Sequence, residues 1–281
     1  MKCFEVVQRV LDDTYDGIPG TEAERDGAVK KALAEISDCY NNKLLTEGGP
    51  DFLHAVTRFA YVFCYVPAHA HWVYELITWS SEAMKVFDVP RVRVACVGGG
   101  PGSDVVGVLK YLDKRGGTPP KLFFEIVDGC EQWKQTWSDL AFSLDWPSPL
   151  NTDYVVHAIG GEDVWSHPHK FDKADLLTLN FFVSEVACKG AKCWDYFDRL
   201  LGIAKPGAIF LFNDNNDSRF YEPFDERAAA AGLEVLVTGQ GERKVYDWDE
   251  NVSQVGRFKN KFSFRPRLTG NMAWRVLRKR T

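Results

Sequence analysis

Apolar runs and amphipathic stretches alternate from Arg91 onward, and this alternation constrains the fold more than any other feature of the chain. Strands that are apolar throughout and alternate with helices form a parallel sheet covered on both faces. The apolar runs predict five strands, over Val92–Val97, Lys121–Asp128, Tyr154–Ile159, Ala174–Phe182 and Ala208–Phe212. Helical periodicity predicts helices over Ser103–Lys114, Glu131–Leu144 and Cys193–Ile203. We therefore expect an α/β fold with a Rossmann-like sheet.

The C-terminal part of the chain predicts antiparallel strands. Phe258–Phe264 and Met272–Leu277 read as two strands separated by the turn residues Thr269-Gly270-Asn271, which favours a hairpin. Leu233–Val237 is a rival for the first strand of this pair, and the pattern does not choose between them. With either choice the sheet has seven strands, is mostly parallel and ends in an antiparallel hairpin.

Residues 1–90 have a different periodicity from the rest of the chain. Apolar positions recur at helical spacing in four segments, Glu5–Leu11, Ala23–Tyr40, Asp51–Tyr65 and Trp72–Phe87. We predict an N-terminal helical segment over residues 1–90, followed by the α/β domain over residues 91–281.

The composition is typical of a soluble globular chain. It is 45% hydrophobic and 14% aromatic, which excludes a disordered chain. No apolar run approaches the roughly 20 residues that a membrane helix needs, and the N-terminus lacks the pattern of a signal peptide. The seven cysteines are odd in number and scattered, which favours reduced thiols and a cytoplasmic or nuclear location. Cys188 and Cys193 lack a second ligand pair, so we expect no metal site.

Charge is distributed unevenly along the chain. Residues 251–281 contain nine Lys and Arg and no acid, so this segment carries +9 and the remaining 250 residues carry −14. A basic end on an acidic body favours a polyanionic partner such as RNA. The alternative is that these side chains form the solvated face of edge strands, where charge also prevents aggregation.

A glycine-rich loop joins the first predicted strand to the helix that follows it. Gly98, Gly100 and Gly102 lie in this loop, and the second strand ends in Asp128. Glycines allow a ligand to approach the backbone, the helix N-terminus offers free N–H groups, and a strand-end carboxylate can accept hydrogen bonds from both ribose hydroxyls. Together they predict a bound nucleoside.

The spacing of the loop indicates which nucleoside it binds. The dinucleotide pattern G-x-G-x-x-G needs glycine at position 103, where this chain has Ser103, whereas Gly98, Gly100 and Gly102 fit G-x-G-x-G. In this loop and in its closing antiparallel strands, the chain from Arg91 to the C-terminus resembles the class I S-adenosylmethionine-dependent methyltransferases.

The resemblance implies roles for several residues. The Gly98–Gly102 loop would lie along the methionine part of S-adenosyl-L-methionine, Asp128 would hold the ribose, and Asp163 would bind the adenine amino group. The chain departs from the family at Cys96, where an acidic residue is usual. The amino end of the cofactor then needs another partner, and Asp104 or a residue of the front segment could serve.

Candidate reaction-centre residues follow the fourth strand and lie in the front segment. The resemblance implies that Asn180 and Phe181 face the transferable methyl group; otherwise Asn180 caps a helix and Phe181 belongs to the core. Pro67 predicts a bend that places Tyr65 and His69 over the cofactor, while the alternative is that both are core residues.

We therefore predict an S-adenosylmethionine-dependent methyltransferase whose first 90 residues form a lid and acceptor-binding segment. Its acceptor would be a small planar amine or heterocycle, favoured by the acidic body, or an RNA base, favoured by the basic end. A nicotinamide-dependent oxidoreductase is opposed by Ser103 and by the closing antiparallel strands. A non-catalytic binding module with the methyltransferase fold is the remaining alternative, because a fold does not fix a function.

Overall fold

The computed structural model describes residues 1–147, 149–159 and 171–280, and these contain one seven-stranded sheet in the order β3-β2-β1-β4-β5-β7-β6. The first five strands pair in parallel, and β7 pairs antiparallel with both β5 and β6. The strands are β1 (Arg91–Val97), β2 (Lys121–Asp128), β3 (Asn151–Val156), β4 (Leu176–Asn180), β5 (Ile209–Asn215), β6 (Leu233–Lys244) and β7 (Thr269–Lys279). The mostly parallel sheet with an antiparallel end is confirmed.

Helices precede the sheet and cover it. The front segment contains α1 (Cys3–Tyr15), α2 (Glu22–Asp38), α3 (Leu44–Glu47), α4 (Ala55–Cys64), α5 (Val66–Thr78) and α6 (Ser81–Lys85). The later helices are α7 (Ser103–Arg115), α8 (Trp133–Ser143), α9 (Val183–Ala187), α10 (Ala191–Ile203), α11 (Ser218–Ala230) and α12 (Gly256–Phe262). Within the described ranges, no helix combines the length and the apolar character that a membrane span requires.

The centre of the sheet brings the predicted site residues to one edge. In β1, Val94 lies beside Phe124 of β2 and Leu176 of β4, and all three side chains are buried. Because the strands are parallel, the glycine loop after β1, the end of β2 and the end of β4 meet at their carboxyl edge, where open α/β sheets bind ligands.

The prediction of a strand over Phe258–Phe264 is wrong. Phe258 and Phe262 belong to α12, where a spacing of four residues places both rings on one buried face against Tyr15 and Phe59. The rival segment is correct, since β6 begins at Leu233 and pairs with β7. The predicted turn at Thr269–Asn271 belongs to β7 itself.

The front segment packs directly on the sheet domain, through α5 against α7. A Cβ atom added to Gly107 of α7 would lie 2.5 Å from the carbonyl oxygen of Ala70, so glycine permits the close approach of the two helices. The expected bend lies at Tyr65, between α4 and α5. Pro67 lies in the first turn of α5, where no N–H is needed, so His69 is inside a helix rather than at a bend.

Candidate functional site

The glycine loop has a conformation that only glycine adopts without strain. Gly98, Gly100 and Gly102 have φ values of 66°, 47° and 89°. A Cβ atom on Gly98 would lie 2.1 Å from the ring of Phe182, and one on Gly102 would lie 2.2 Å from the ring of Trp137. The backbone conformation therefore requires glycine at all three positions. At Gly98 and Gly102 a side chain would also clash with the aromatic rings that pack on the loop.

Asp128 lies at the end of β2 and faces this loop. One carboxylate oxygen accepts a hydrogen bond from the backbone N–H of Gly100 at 2.9 Å, and the other accepts one from the N–H of Cys130 at 2.9 Å. Burial raises the pKa of Asp128, and these backbone hydrogen bonds oppose that shift. Each oxygen keeps a further lone pair, so the carboxylate can still accept two hydroxyl hydrogen bonds.

A cavity of about 330 Å³ opens in front of Asp128. Gly98, Phe182 and Glu185 line it, together with Gly48–Pro50 of the front segment and His157–Ile159 after β3. Burial and the nearby Asp128 raise the pKa of Glu185 to about 8, and Glu185 has no hydrogen-bond or ion-pair partner among the described residues. Asp163, expected near the adenine, lies outside the described part of the chain.

A buried polar network joins the start of α7 to the end of β4. The carboxylate of Asp104 accepts hydrogen bonds from the hydroxyl of Thr178 and from the amide of Asn180, the latter at 3.0 Å. The Asn180 oxygen in turn accepts a hydrogen bond from the amide of Asn213 at 2.9 Å. Burial raises the pKa of Asp104 to about 6. Asp104 also lies beside Cys96, whose thiol pKa is raised by burial and by this carboxylate.

Phe181 has a strained backbone at the end of β4. Its φ is 55°, which is rare for a bulky residue, and its N–H donates to the carbonyl of Asn213 at 2.7 Å. Such strain is concentrated at functional sites. The Phe181 ring stacks on His69 of α5, with centroids 4.2 Å apart and planes 12° apart. The structure thus brings together Phe181, a candidate that follows β4, and His69, a candidate of the front segment.

His69 is a buried, neutral imidazole. It is 3% exposed. Burial is the larger of two causes that lower its pKa well below the usual 6.5, and the nearby positive charge of Arg267 is the other. The Tyr61 hydroxyl lies 3.5 Å from its Nδ1 atom, whereas its Nε2 atom is buried with no hydrogen-bond partner among the described residues. The indole N–H of Trp72, whose ring is 5.8 Å from that of Phe181, is also unpartnered there. Buried polar groups without partners are uncommon and need an explanation.

Tyr65 packs beside His69 and also lines a second cavity, of about 420 Å³. Its ring centroid is 5.6 Å from that of His69, and the guanidinium carbon of Arg267 is 5.9 Å from the Tyr65 ring and 5.5 Å from the Phe181 ring. Tyr65, His69, Trp72 and Phe181 therefore form an aromatic wall with one cation beside it. We call these four residues the aromatic wall.

The basic C-terminal residues do not form an exposed strand face. Arg257 pairs with Asp12, Lys261 with Glu22 and Asp26, Arg275 with Asp225, and Arg278 with Glu82 and Glu234. Lys259 and Lys261 fall within the predicted strand Phe258–Phe264, but both lie in α12, so they do not form a strand face. Much of the charge is thus neutralised by the acidic body.

Sequence reasoning missed two residues of the site, Glu185 and Arg267. Arg267 was counted only among the basic C-terminal residues, and Glu185 carried no motif. Both lie in segments far in sequence from the glycine loop, so only the tertiary fold shows their position. Glu185 follows β4 by five residues, and this place after a strand end is the one local signal that could have indicated it.

No family model and no curated protein matches the chain. Among solved structures, the CurJ carbon methyltransferase is similar over 91% of this chain and 68% of its own, with a TM-score of 0.52 and 14% identity. The cyclase SpnF is 13% identical, with a TM-score of 0.48, over 90% of this chain and 93% of its own. NSun6 from Pyrococcus horikoshii, solved with SFG, is 11% identical, with a TM-score of 0.47, over 75% and 52% of the two chains.

At these identities the similarity shows the fold. The match to CurJ carbon methyltransferase confirms the predicted Rossmann-like fold, a mostly parallel seven-stranded sheet with an antiparallel end.

Proposed function

We propose that this protein is an S-adenosylmethionine-dependent methyltransferase. The observation that carries the proposal is Asp128, whose two carboxylate oxygens lie at the glycine loop and at a cavity of about 330 Å³. The cavity has the size of a small-molecule site, and the lone pairs left on Asp128 suit a ribose. In the proposed complex Asp128 holds the ribose hydroxyls, the Gly98–Gly102 backbone lies along the methionine part, and Asp163 binds the adenine.

The amino end of the cofactor needs an acidic partner in place of Cys96. Asp104 is the best candidate, because its carboxylate lies beside Cys96 and is held by Thr178 and Asn180. In this chain the candidate acid lies in the first turn of α7 rather than in the strand, and its hydrogen bonds fix its position. We propose that Asn180 orients Asp104.

The proposed acceptor is a small planar amine or heterocycle. A planar acceptor ring would pack against Phe181, the partly exposed residue of the aromatic wall, and the unpartnered Nε2 atom of His69 would accept the N–H of its amine. S-adenosylmethionine, when bound, supplies an electrophilic methyl group on a sulfonium. The acceptor nitrogen would take this methyl group and leave a neutral thioether, and the imidazole of His69 would accept the amine proton at its Nε2 atom.

Alignment and exclusion of water contribute most to such a displacement. The chain supplies both through buried groups, since His69 is 3% exposed and Trp72 is fully buried. Tyr65 contacts His69 and borders the second cavity, so we propose that it positions the acceptor. Residues 1–90 would thus act as the lid and acceptor segment of a cofactor-binding domain over residues 91–281.

The test is direct. Titration calorimetry of the purified protein with S-adenosylmethionine should show binding, and incubation with the methyl-labelled cofactor and fractionated cell extract should transfer label to a small molecule. Binding with no transfer to small molecules, RNA or protein would favour the non-catalytic binding module. No binding would overturn the proposal.

An RNA base is the second candidate acceptor. Lys259, Arg265, Arg267 and Arg280 have no acidic partner among the described residues, and they could contact phosphates. Four phosphate contacts would give a slope of about −3 in a plot of log affinity against log salt. A salt titration of RNA binding that gives such a slope, with label transferred to RNA, would favour this acceptor. The cytoplasmic or nuclear location stays a prediction.

A further inference from the structure

A second cavity, of about 420 Å³, is lined by Tyr65 of the aromatic wall and shares no lining residue with the cavity at Asp128. Its lining includes Cys64 and Tyr65 from the front segment, Glu242 from β6, and Arg265 and Arg267 from the segment before β7. We propose that this cavity binds an anionic group of the methyl acceptor and that Arg267 is the residue that binds it. The inference rests on the proposed function, since it specifies the acceptor of that same site.

Arg267 is fixed by two hydrogen bonds, and its terminal guanidinium N–H groups have no partner among the described residues. Its backbone N–H donates to the carbonyl of Cys64 at 2.8 Å, and its Nε atom donates to the carbonyl of Thr269 at 3.3 Å. The two terminal nitrogens have no hydrogen-bond or ion-pair partner among the described residues. A guanidinium offers five N–H donors in a planar fork that matches a carboxylate or a phosphate. These two nitrogens are therefore available to a ligand.

The location of the guanidinium connects the cavity to the reaction centre. Its carbon atom is 5.9 Å from the centroid of Tyr65 and 5.5 Å from that of Phe181, and the Phe181 ring stacks on His69. An anion bound at Arg267 would thus keep the rest of a small planar molecule beside the aromatic wall. A positive group at this place also discourages protonation of His69, which agrees with its lowered pKa.

The charge of the lining favours an anion over a neutral ligand. Arg265 is exposed at the same cavity, and Glu242 is the acid among its lining residues, so the lining is net positive. Other arginines of this basic segment, Arg257 and Arg275, are paired with carboxylates. Two of the four cations of this segment that have no acidic partner among the described residues, Arg265 and Arg267, thus line this cavity together with Tyr65.

Substitution of Arg267, with a matched control, tests the inference. Low-molecular-weight cell extract is separated by ion exchange into anionic, neutral and cationic pools, and each pool is incubated with methyl-labelled S-adenosylmethionine and the protein. Label should enter the anionic pool. Arg267→Gln should lower kcat/KM for the labelled compound by about ten- to a hundredfold, mainly through KM, because a hydrogen bond between charged groups is lost. Phosphatase treatment of the product then distinguishes a phosphate from a carboxylate.

The controls separate binding of the anion from a structural effect. Lys121→Gln removes an exposed positive charge at the start of β2, outside both cavities, and should leave kcat/KM unchanged. Arg267→Lys keeps the charge and should recover part of the loss. Cofactor affinity, measured by calorimetry, should be equal in all variants. A raised Kd for the cofactor in Arg267→Gln would indicate a structural defect and would overturn the assignment of Arg267.

Two results would overturn the inference in different ways. Cofactor binding by the wild type with label only in the neutral pool, the cationic pool or RNA would overturn the anionic acceptor while leaving the proposed methyltransferase intact. No cofactor binding by the wild type would overturn the proposed function, and the inference with it.

Discussion

Replacement of Asp128 is the most informative perturbation, because its carboxylate serves the proposed ligand and the loop. In the structure it accepts hydrogen bonds from the N–H groups of Gly100 and Cys130. In the proposed complex it also accepts those of the ribose. We expect Asp128→Ala to weaken S-adenosylmethionine binding by about 1.5 to 3 kcal/mol, or roughly ten- to a hundredfold in Kd.

The same change should also cost stability. Two backbone donors in a partly buried place lose their acceptor, at about 1 to 3 kcal/mol for each that stays unsatisfied. We expect the free energy of unfolding to fall by about 2 to 4 kcal/mol while the protein remains folded. Asp128→Asn keeps one acceptor oxygen but directs an NH₂ group at one of the two N–H donors, so it should lie between the wild type and Asp128→Ala in both measurements.

Calorimetry with S-adenosylmethionine and urea denaturation measure the two effects separately. Glu131→Gln, an exposed acid three residues further along the chain, is the control for a general change of charge and should leave both values unchanged. Asp128→Ala with wild-type affinity would refute the ribose assignment. Wild-type stability of Asp128→Ala would refute the role of the carboxylate in fixing the glycine loop.

Three further predictions concern buried charged groups. Lys110→Met should lower the free energy of unfolding by about 3 to 5 kcal/mol in urea denaturation, because the fully buried Glu250 loses its closest cationic partner. Burial opposes charging of His71, but hydrogen bonds to Glu250 and Glu75 raise its pKa. Charged His71 should therefore contribute fully to the free energy of unfolding below about pH 6.5, and this contribution should be lost as the pH rises through the raised pKa. The difference in the free energy of unfolding between wild type and His71→Gln should then shrink towards pH 9. Because burial raises the pKa of Glu185 to about 8, affinity for the cationic cofactor should increase from pH 7 to 9 in calorimetry, and less so in Glu185→Gln.

The central strands of the parallel sheet could be predicted because they are largely buried. All five residues of β4 and five of the seven residues of β1 are buried, so their apolar runs coincide with an apolar environment. The segment Phe258–Phe264 was misread for a physical reason. Its aromatic residues fit an alternating pattern, but Phe258 and Phe262 also fit a helix turn, and long-range packing on Tyr15 and Phe59 decided the outcome. A short segment that fits both the strand and the helix periodicity cannot be assigned to either structure from its local sequence.

The candidate site likewise contains some residues that local sequence signals indicate and others that only the tertiary fold brings together. The glycine loop and Asp128 are local signals, because loop conformation and a strand end are encoded within a few residues. The stacking of Phe181 on His69 joins residues 112 positions apart, counted from 69 to 181, and depends on the packing of α5 beside β4. Glu185 and Arg267 likewise reach the site through the tertiary fold. The sequence indicates the glycine loop and Asp128 from local signals, whereas the contacts of Phe181 with His69 and Arg267 are known only from the structure.

A count of charges in the sequence overestimates the positive charge that the basic C-terminal segment, residues 251–281, can offer to a partner. Of its nine cations, four pair with carboxylates and Lys279 donates to the carbonyls of Leu201 and Ala231. Four cations remain without an acidic partner among the described residues, and two of these, Arg265 and Arg267, line one cavity. A polyanion is favoured by charge spread along a surface, whereas a small anion is favoured by charge concentrated beside a binding wall. Once the ion pairs are subtracted, the remaining charge therefore favours a small anionic acceptor over RNA.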